Sequence, residues 1–163
     1  MSADGETIDY RRAETRADFD LARLMIQEYA DWLGVDLGFQ KFDEELAALE
    51  SMYVPPDGRF FIASRGGEAA GCIGLRALPT PGDGEMKRLY VRSGFRGYGI
   101  GRALVERTMA AAREIGYRLL LFDTWPPRMP EAQALYESYG CEEIPPYYDN
   151  PVPGVVFRQI VLD

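Results

Sequence analysis

Seven residues, Arg96-Gly97-Tyr98-Gly99-Ile100-Gly101-Arg102, combine bare backbone with fixed positive charge. They follow a run ending Leu89-Tyr90-Val91-Arg92, which reads as a strand, and they open a long amphipathic stretch. Glycines at 97, 99 and 101 let successive N–H groups point at one anion, and a helix starting there adds its partial positive charge. Arg96 and Arg102 flank the glycines and can add charge-assisted hydrogen bonds. This arrangement suits a phosphate-bearing ligand. Two phosphate loops of other spacing are excluded. The Walker pattern needs Gly-Lys-Ser/Thr, whereas Gly101 is followed by Arg102 and Ala103. The dinucleotide fingerprint needs two residues between its last two glycines, and only Ile100 separates Gly99 from Gly101.

The elements that must position this loop follow from patterning. A chain of 163 residues with 47% hydrophobic and 27% charged content is of single-domain length, so residues 1–163 are expected to form one domain. Alternation predicts a strand over residues 7–12. Thr15 or Asp18 can cap a helix through Leu33, with Phe19, Leu21, Leu24, Met25 and Tyr29 on its apolar side and Gly34 at its end. A second helix is predicted over 43–51, with Leu46 and Leu49 turned inward. After the turn Pro55-Pro56-Asp57-Gly58 come strands at 59–64 and 69–78, joined as a hairpin by Arg65-Gly66-Gly67-Glu68. Gly71 and Gly74 weaken the second of these unless a bulge or a close neighbour needs them. A central strand at 85–92 leads through the loop into a helix at 100–115, whose stripe is Ile100, Leu104, Thr108, Ala111, Ala112 and Ile115. A buried apolar strand at 117–124, a short helix at 131–139 begun by Pro130, a segment begun by Tyr147 and Tyr148 and broken by Pro151 and Pro153, and a last strand at 155–162 complete the chain. Strand, helix, strand implies a right-handed parallel crossover. The order β α α β β β α β α β β is an α/β mixed sheet with helices on both sides.

Composition limits the chemistry. The net charge of −8 disfavours a nucleic-acid groove and favours a cationic or neutral partner, while arginines at 88, 92, 96 and 102 form a local anion site. No apolar run reaches membrane length and the N-terminus is not a signal peptide, so a cytoplasmic protein is expected, with Cys72 and Cys141 as free thiols. There is no histidine, which removes His-based triads, most zinc sites and the usual general base. No metal is expected. Acid–base work falls to carboxylates, Tyr, Cys, an amine or water.

Arg96-x-x-Gly99-x-Gly101, after a strand ending Leu-Tyr-Val, resembles the acyl-coenzyme-A loop of the GCN5-related N-acetyltransferase (GNAT) family. The topology resembles that fold throughout, and Ala134-Leu135-Tyr136-Glu137-Ser138-Tyr139-Gly140-Cys141 is similar to the family's second signature. The resemblance implies acetyl-CoA as cosubstrate and an amine as acceptor. It places the pantetheine arm along Leu89, Tyr90 and Val91, at a bulge where the central strand splays from its parallel neighbour. It places the pyrophosphate on the amides of residues 96–102: Arg96, Gly97, Tyr98, Gly99, Ile100, Gly101 and Arg102. Tyr136 maps to the Tyr near the thioester sulfur, and Met129 stands where the family often has an Asn that bonds the arm. Dimers are common in the family, which leaves a homodimer open.

The implied reaction needs a neutral amine, although alkyl amines hold a proton up to a pKa of about 10. It needs an N–H for the oxyanion, offered near Leu89, and a proton for the departing thiolate, offered by Tyr136. Glu85 stands four residues before Leu89, where protein-acetylating members of the family place a catalytic Glu; it is the candidate base, with water as the alternative. The acceptor is expected between the first two helices and the aromatic segment 145–154, walled by Phe39, Phe42, Tyr147 and Tyr148. Asp36, Glu85 or Asp149 could hold its ammonium group. A non-catalytic acyl-CoA-binding module, and a nucleotide- or phosphate-binding domain unrelated to acyl transfer, are the competing functions.

Overall fold

The computed structural model describes residues 7–38 and 41–162, so the expected wall residue Phe39 lies outside the described residues. β1 (Ile8–Arg12) leads into α1 (Arg16–Leu33). Thr15 accepts from the Asp18 N–H while the Asp18 carboxylate accepts from the Thr15 N–H, so both cap candidates act together as one capping box. α1 ends on Gly34, whose left-handed φ of 76° an L side chain rarely adopts.

The helix expected over 43–51 is two pieces, α2 (Phe42–Ala47) and α3 (Leu49–Met52), interrupted at Ala48. No breaker residue marks the site. The tertiary environment decides it, since Glu45 is drawn to the sheet while Leu49 and Tyr53 enter the core. β2 (Arg59–Arg65), β3 (Glu68–Ala77) and β4 (Asp83–Val91) form a meander. α4 (Ile100–Ile115), β5 (Leu119–Thr124), α5 (Pro130–Ser138), β6 (Glu142–Ile144) and β7 (Val156–Val161) follow.

The strands make one seven-stranded sheet in the order β1-β2-β3-β4-β5-β7-β6. Alternate strand residues feed two cores. Ala63, Ile73, Leu75 and Met86 meet Ile100, Leu104, Val105 and Ala112 of α4. Phe60, Ile62, Cys72 and Tyr90 meet Phe19, Ala22, Met25 and Ile26 of α1 on the other face. The α4 stripe is buried as expected except that Ile115 is only partly covered, and Val105 and Met109 join it. Gly74 is required by a neighbour, because a Cβ there would sit 2.6 Å from the Tyr53 ring.

Two irregularities in β4 create the site. Its register with β3 shifts between Cys72 and Gly74, opposite Arg88, whose φ of 62° marks a bulge. β4 and β5 are the parallel pair, and they register only from Asp83↔Leu119 to Glu85↔Leu121. Beyond Glu85 the two strands part, while β5 stays paired to β7 through Thr124. No helix among the described residues is long and apolar enough to cross a membrane.

Candidate active site

The parting strands open a cleft of about 360 Å³. Leu89, Tyr90 and Val91 form one wall, and Ala132 and Leu135 of α5 form the other. The loop closes one end with Arg96, Gly97, Gly99, Ile100 and Gly101. Tyr98 and Arg102 are not in the lining. Tyr98 lies under the Arg65 guanidinium at 4.4 Å, and Arg102 turns to the Glu106 carboxylate at 3.8 Å and the Tyr139 ring.

The loop is built from its glycines. Gly97 and Gly99 hold φ of 91° and 76°, and Gly99 is the N-cap of α4 with no side-chain cap hydrogen bond. The first N–H groups of α4 therefore have no partner from their own helix, and no acidic side chain stands in its first turn. Gly101 has no positive φ, and a Cβ there would make only ordinary contacts at 3.9 Å. Its missing side chain leaves room in the cleft. Arg96 is held at the mouth, donating from Nε to the Val91 carbonyl at 3.1 Å with its guanidinium 5.3 Å from the Trp32 ring.

At the bulge the cleft meets two smaller cavities. The inner one is lined by Tyr29, Lys87, Arg88, Asp123 and Tyr136, the outer one by Leu37, Asp123, Trp125, Asn150 and Val152. Met129 borders all three cavities. Tyr136 is 4% exposed and packs 4.4 Å from Phe122, and its hydroxyl has no hydrogen-bond partner among the described residues. Burial pushes its pKa up, so the hydroxyl stays protonated at neutral pH. Burial also pushes up the Asp123 carboxyl, which accepts from the Tyr148 hydroxyl; that oxygen in turn accepts from Asn150 Nδ2 at 2.9 Å.

Glu85 is 2% exposed and lines none of the three cavities. One oxygen accepts from Arg76 Nε at 2.7 Å, the other from the Tyr147 hydroxyl at 2.6 Å. Tyr147 and Tyr148 pack edge-on against Phe157 at 5.3 and 5.1 Å, so they anchor the aromatic loop as well as bonding Glu85 and Asp123. Phe42 lies 5.4 Å from the Arg88 guanidinium. Asp36 and Asp149 are exposed, and Asp36 accepts from the Gly38 N–H.

The sequence reading missed Lys87 and Asp123. For Asp123 a signal was present, a charge inside an otherwise apolar strand of the kind covered on both faces; Lys87 shares its strand with Asp83, Glu85 and Arg88 and does not stand out. Burial pushes the Lys87 amine down to about 8, with Arg88 beside it adding to the effect. Arg88 itself is bound through Nε and Nη2 to the Glu45 carboxylate at 3.0 and 2.6 Å. Among the described residues no group of three His, Cys, Asp or Glu side chains could hold a metal ion.

Comparison with known proteins accords with this geometry. Residues 24–141 match the Acetyltransferase (GNAT) family. The chain belongs to the GNAT family. It is 39% identical over 146 residues to an uncharacterized N-acetyltransferase of Schizosaccharomyces pombe, covering 89% of each chain. It is 36% identical over 124 residues to an IAA acetyltransferase of Azospirillum brasilense, covering 76% of this chain and 78% of that one. A GNAT acetyltransferase of Staphylococcus aureus superposes with a TM-score of 0.76 at 20% identity, over 96% of this chain and 100% of the other. This GNAT protein is thus an enzyme of the N-acetyltransferase class, in a family that uses acetyl-CoA as cosubstrate.

Proposed function

We propose that this GNAT enzyme moves the acetyl group of acetyl-CoA to a primary amine of a small molecule, amino acid or peptide by direct attack. The observation that carries this is the junction at Met129, where a cleft ending on uncapped helix amides meets a chamber holding the free Tyr136 hydroxyl and the Asp123 carboxyl. The cleft suits acetyl-CoA: the amides and Arg96 favour negative charge, and β4 beyond Glu85 presents a backbone edge with no ladder partner on the β5 side. When bound, acetyl-CoA supplies an activated thioester carbonyl.

The chain's own groups then have distinct roles. Leu89, next to the bulge, offers its N–H to a developing oxyanion. Tyr136 Oη, kept protonated by burial, is the proton donor. Asp123 faces the chamber and its raised pKa makes it a better proton acceptor near neutrality, so it is assigned as base. Glu85, with both oxygens held by Arg76 and Tyr147, is assigned to fixing the loop.

The test is thiol release from acetyl-CoA with a panel of amines, together with mass detection of the product. Release matched by acetylated amine is expected. Acetyl-CoA binding with no release on any acceptor would instead make the chain an acyl-CoA-binding module, the reading that Met129 in place of Asn favours.

A further inference from the structure

The charged groups around the bulge pair off almost completely. Arg88 is bonded to Glu45, Arg76 to Glu85 at 2.7 Å, and Arg92 to Glu28 at 2.9 Å. Lys87 is left over. It is 8% exposed, yet no hydrogen bond or ion pair reaches its amine among the described residues. Its side chain lines the inner chamber together with Tyr136 and Asp123. Holding an ammonium group in such a place without a partner is unfavourable, and a methionine of similar length would avoid the cost. An anion delivered by a ligand would remove it.

Among the described residues no carboxylate forms an ion pair with Lys87: Glu45, Glu85 and Glu28 are each committed to a guanidinium, and Asp123, whose charge Lys87 favours from across the chamber, accepts from Tyr148. The ligand that enters this chamber on the proposed reading is the acceptor. Its amine must come near Asp123 and Tyr136. Resting on that reading, we propose that Lys87 Nζ binds a carboxylate of the acceptor, and that the acceptor is a free amino acid. The chamber itself is about 20 Å³, room for one small group, so the carboxylate is placed beside Lys87 and the ammonium at the junction with the larger cleft, toward Tyr136 and Asp123. A lysine side chain of a protein substrate carries no carboxylate beside its amine and leaves Lys87 unpaired. The global charge of −8, which favours cationic partners, is overruled here by one local cation.

The experiment compares matched acceptors: L-leucine against 3-methylbutylamine, and L-phenylalanine against phenethylamine, which differ only by the carboxylate. Wild-type kcat/KM should favour the amino acid by roughly tenfold to a hundredfold, the range of a hydrogen bond to a charged group. In Lys87→Met that ratio should fall to within about threefold of one, and Lys87→Arg should keep part of it. A wild-type ratio at or below one overturns the proposal without any variant. So does a Lys87→Met enzyme that loses both rates equally, since that is a structural effect. If no acceptor is acetylated, calorimetric titration of L-leucine into the CoA-loaded protein still decides. Binding that Lys87→Met abolishes supports a carboxylate site while the transferase reading fails, and absence of binding to wild type overturns the site itself.

Discussion

Tyr136 and Lys87 both present unpartnered polar groups to the chamber, and they differ in what removing the group should do. Tyr136→Phe deletes a hydroxyl that bonds nothing in the described protein, so stability should change by less than about 0.5 kcal/mol. Turnover should fall by roughly 10²-fold. Steady-state thiol release beside a thermal melt reads both quantities, and turnover within twofold of wild type would make the ring purely structural. Lys87→Met should stabilise the fold. The Lys87 amine is pushed from 10.5 to about 8 first by burial, then by Arg88 on its own strand, with Arg76 of β3 adding and Glu85 and Glu45 opposing. Between pH 8 and 10.5 the unfolded chain binds the proton that the folded one has lost, so stability rises with pH across this window. Below pH 8 the variant should be about 1–3 kcal/mol more stable, and the gap should close by pH 10.5. Urea midpoints at pH 7 and pH 10.5 measure it; a gap that ignores pH means the amine is solvated. Tyr136 was legible because it sits in a recognisable motif. Asp123 was marked only as a charge in an apolar strand and Lys87 not at all, because their importance arises where two strands separate, and no local pattern encodes a separation.

Among the elements, the loop and α4 were the most legible part of the chain. The expected helix 100–115 coincides with Ile100–Ile115 because Gly99 and Gly116 adopt left-handed φ at its two ends. The break at Ala48 and the three-residue β6 were not readable, since the first obeys Glu45 and Tyr53 and the second obeys its pairing with β7. Tyr147 and Tyr148 were expected to wall the acceptor; they line none of the three cavities and instead pin the aromatic loop to β7 through Phe157, a contact invisible before the sheet order is known. The structure also separates the glycines by role. Gly97 and Gly99 serve the backbone, whereas Gly101 leaves space. Gly101→Val should therefore fold normally, with an unliganded melting temperature within a few degrees of wild type. The acetyl-CoA-induced rise should disappear from it. An unchanged rise in the folded variant removes the loop from the cofactor site.

For the whole molecule, the Glu45–Arg88 pair fastens α2 across the face of the sheet at the bulge. Burial would raise the Glu45 pKa, but the hydrogen bonds and charge of Arg88 outweigh it and hold the carboxyl below its usual range. The folded-state pKa is depressed, so the stabilisation is present above the ordinary carboxylate pKa and is lost as pH falls through the lower folded value. Glu45→Gln removes the carboxylate that pairs with the buried Arg88 guanidinium and should cost about 3–5 kcal/mol at pH 7. Chemical denaturation at pH 7 and pH 3 tests this, with the penalty expected to shrink at the acid end. The seam between β4 and β5 has a different consequence. Three registered pairs join a leaf of four strands to a leaf of three, and past Glu85 the backbone of β4 has no neighbour on that side. On the proposed reading, the missing rung is supplied by a metabolite. Amide exchange at Leu89 and Val91 should slow when acetyl-CoA is added, while exchange in β1 and β2 stays the same. Protease resistance should rise as well, by about 2.7 kcal/mol of added stability when the ligand stands at a hundred times its Kd. The lifetime of this protein would then follow the cell's acetyl-CoA supply, with starvation leaving the two leaves free to part.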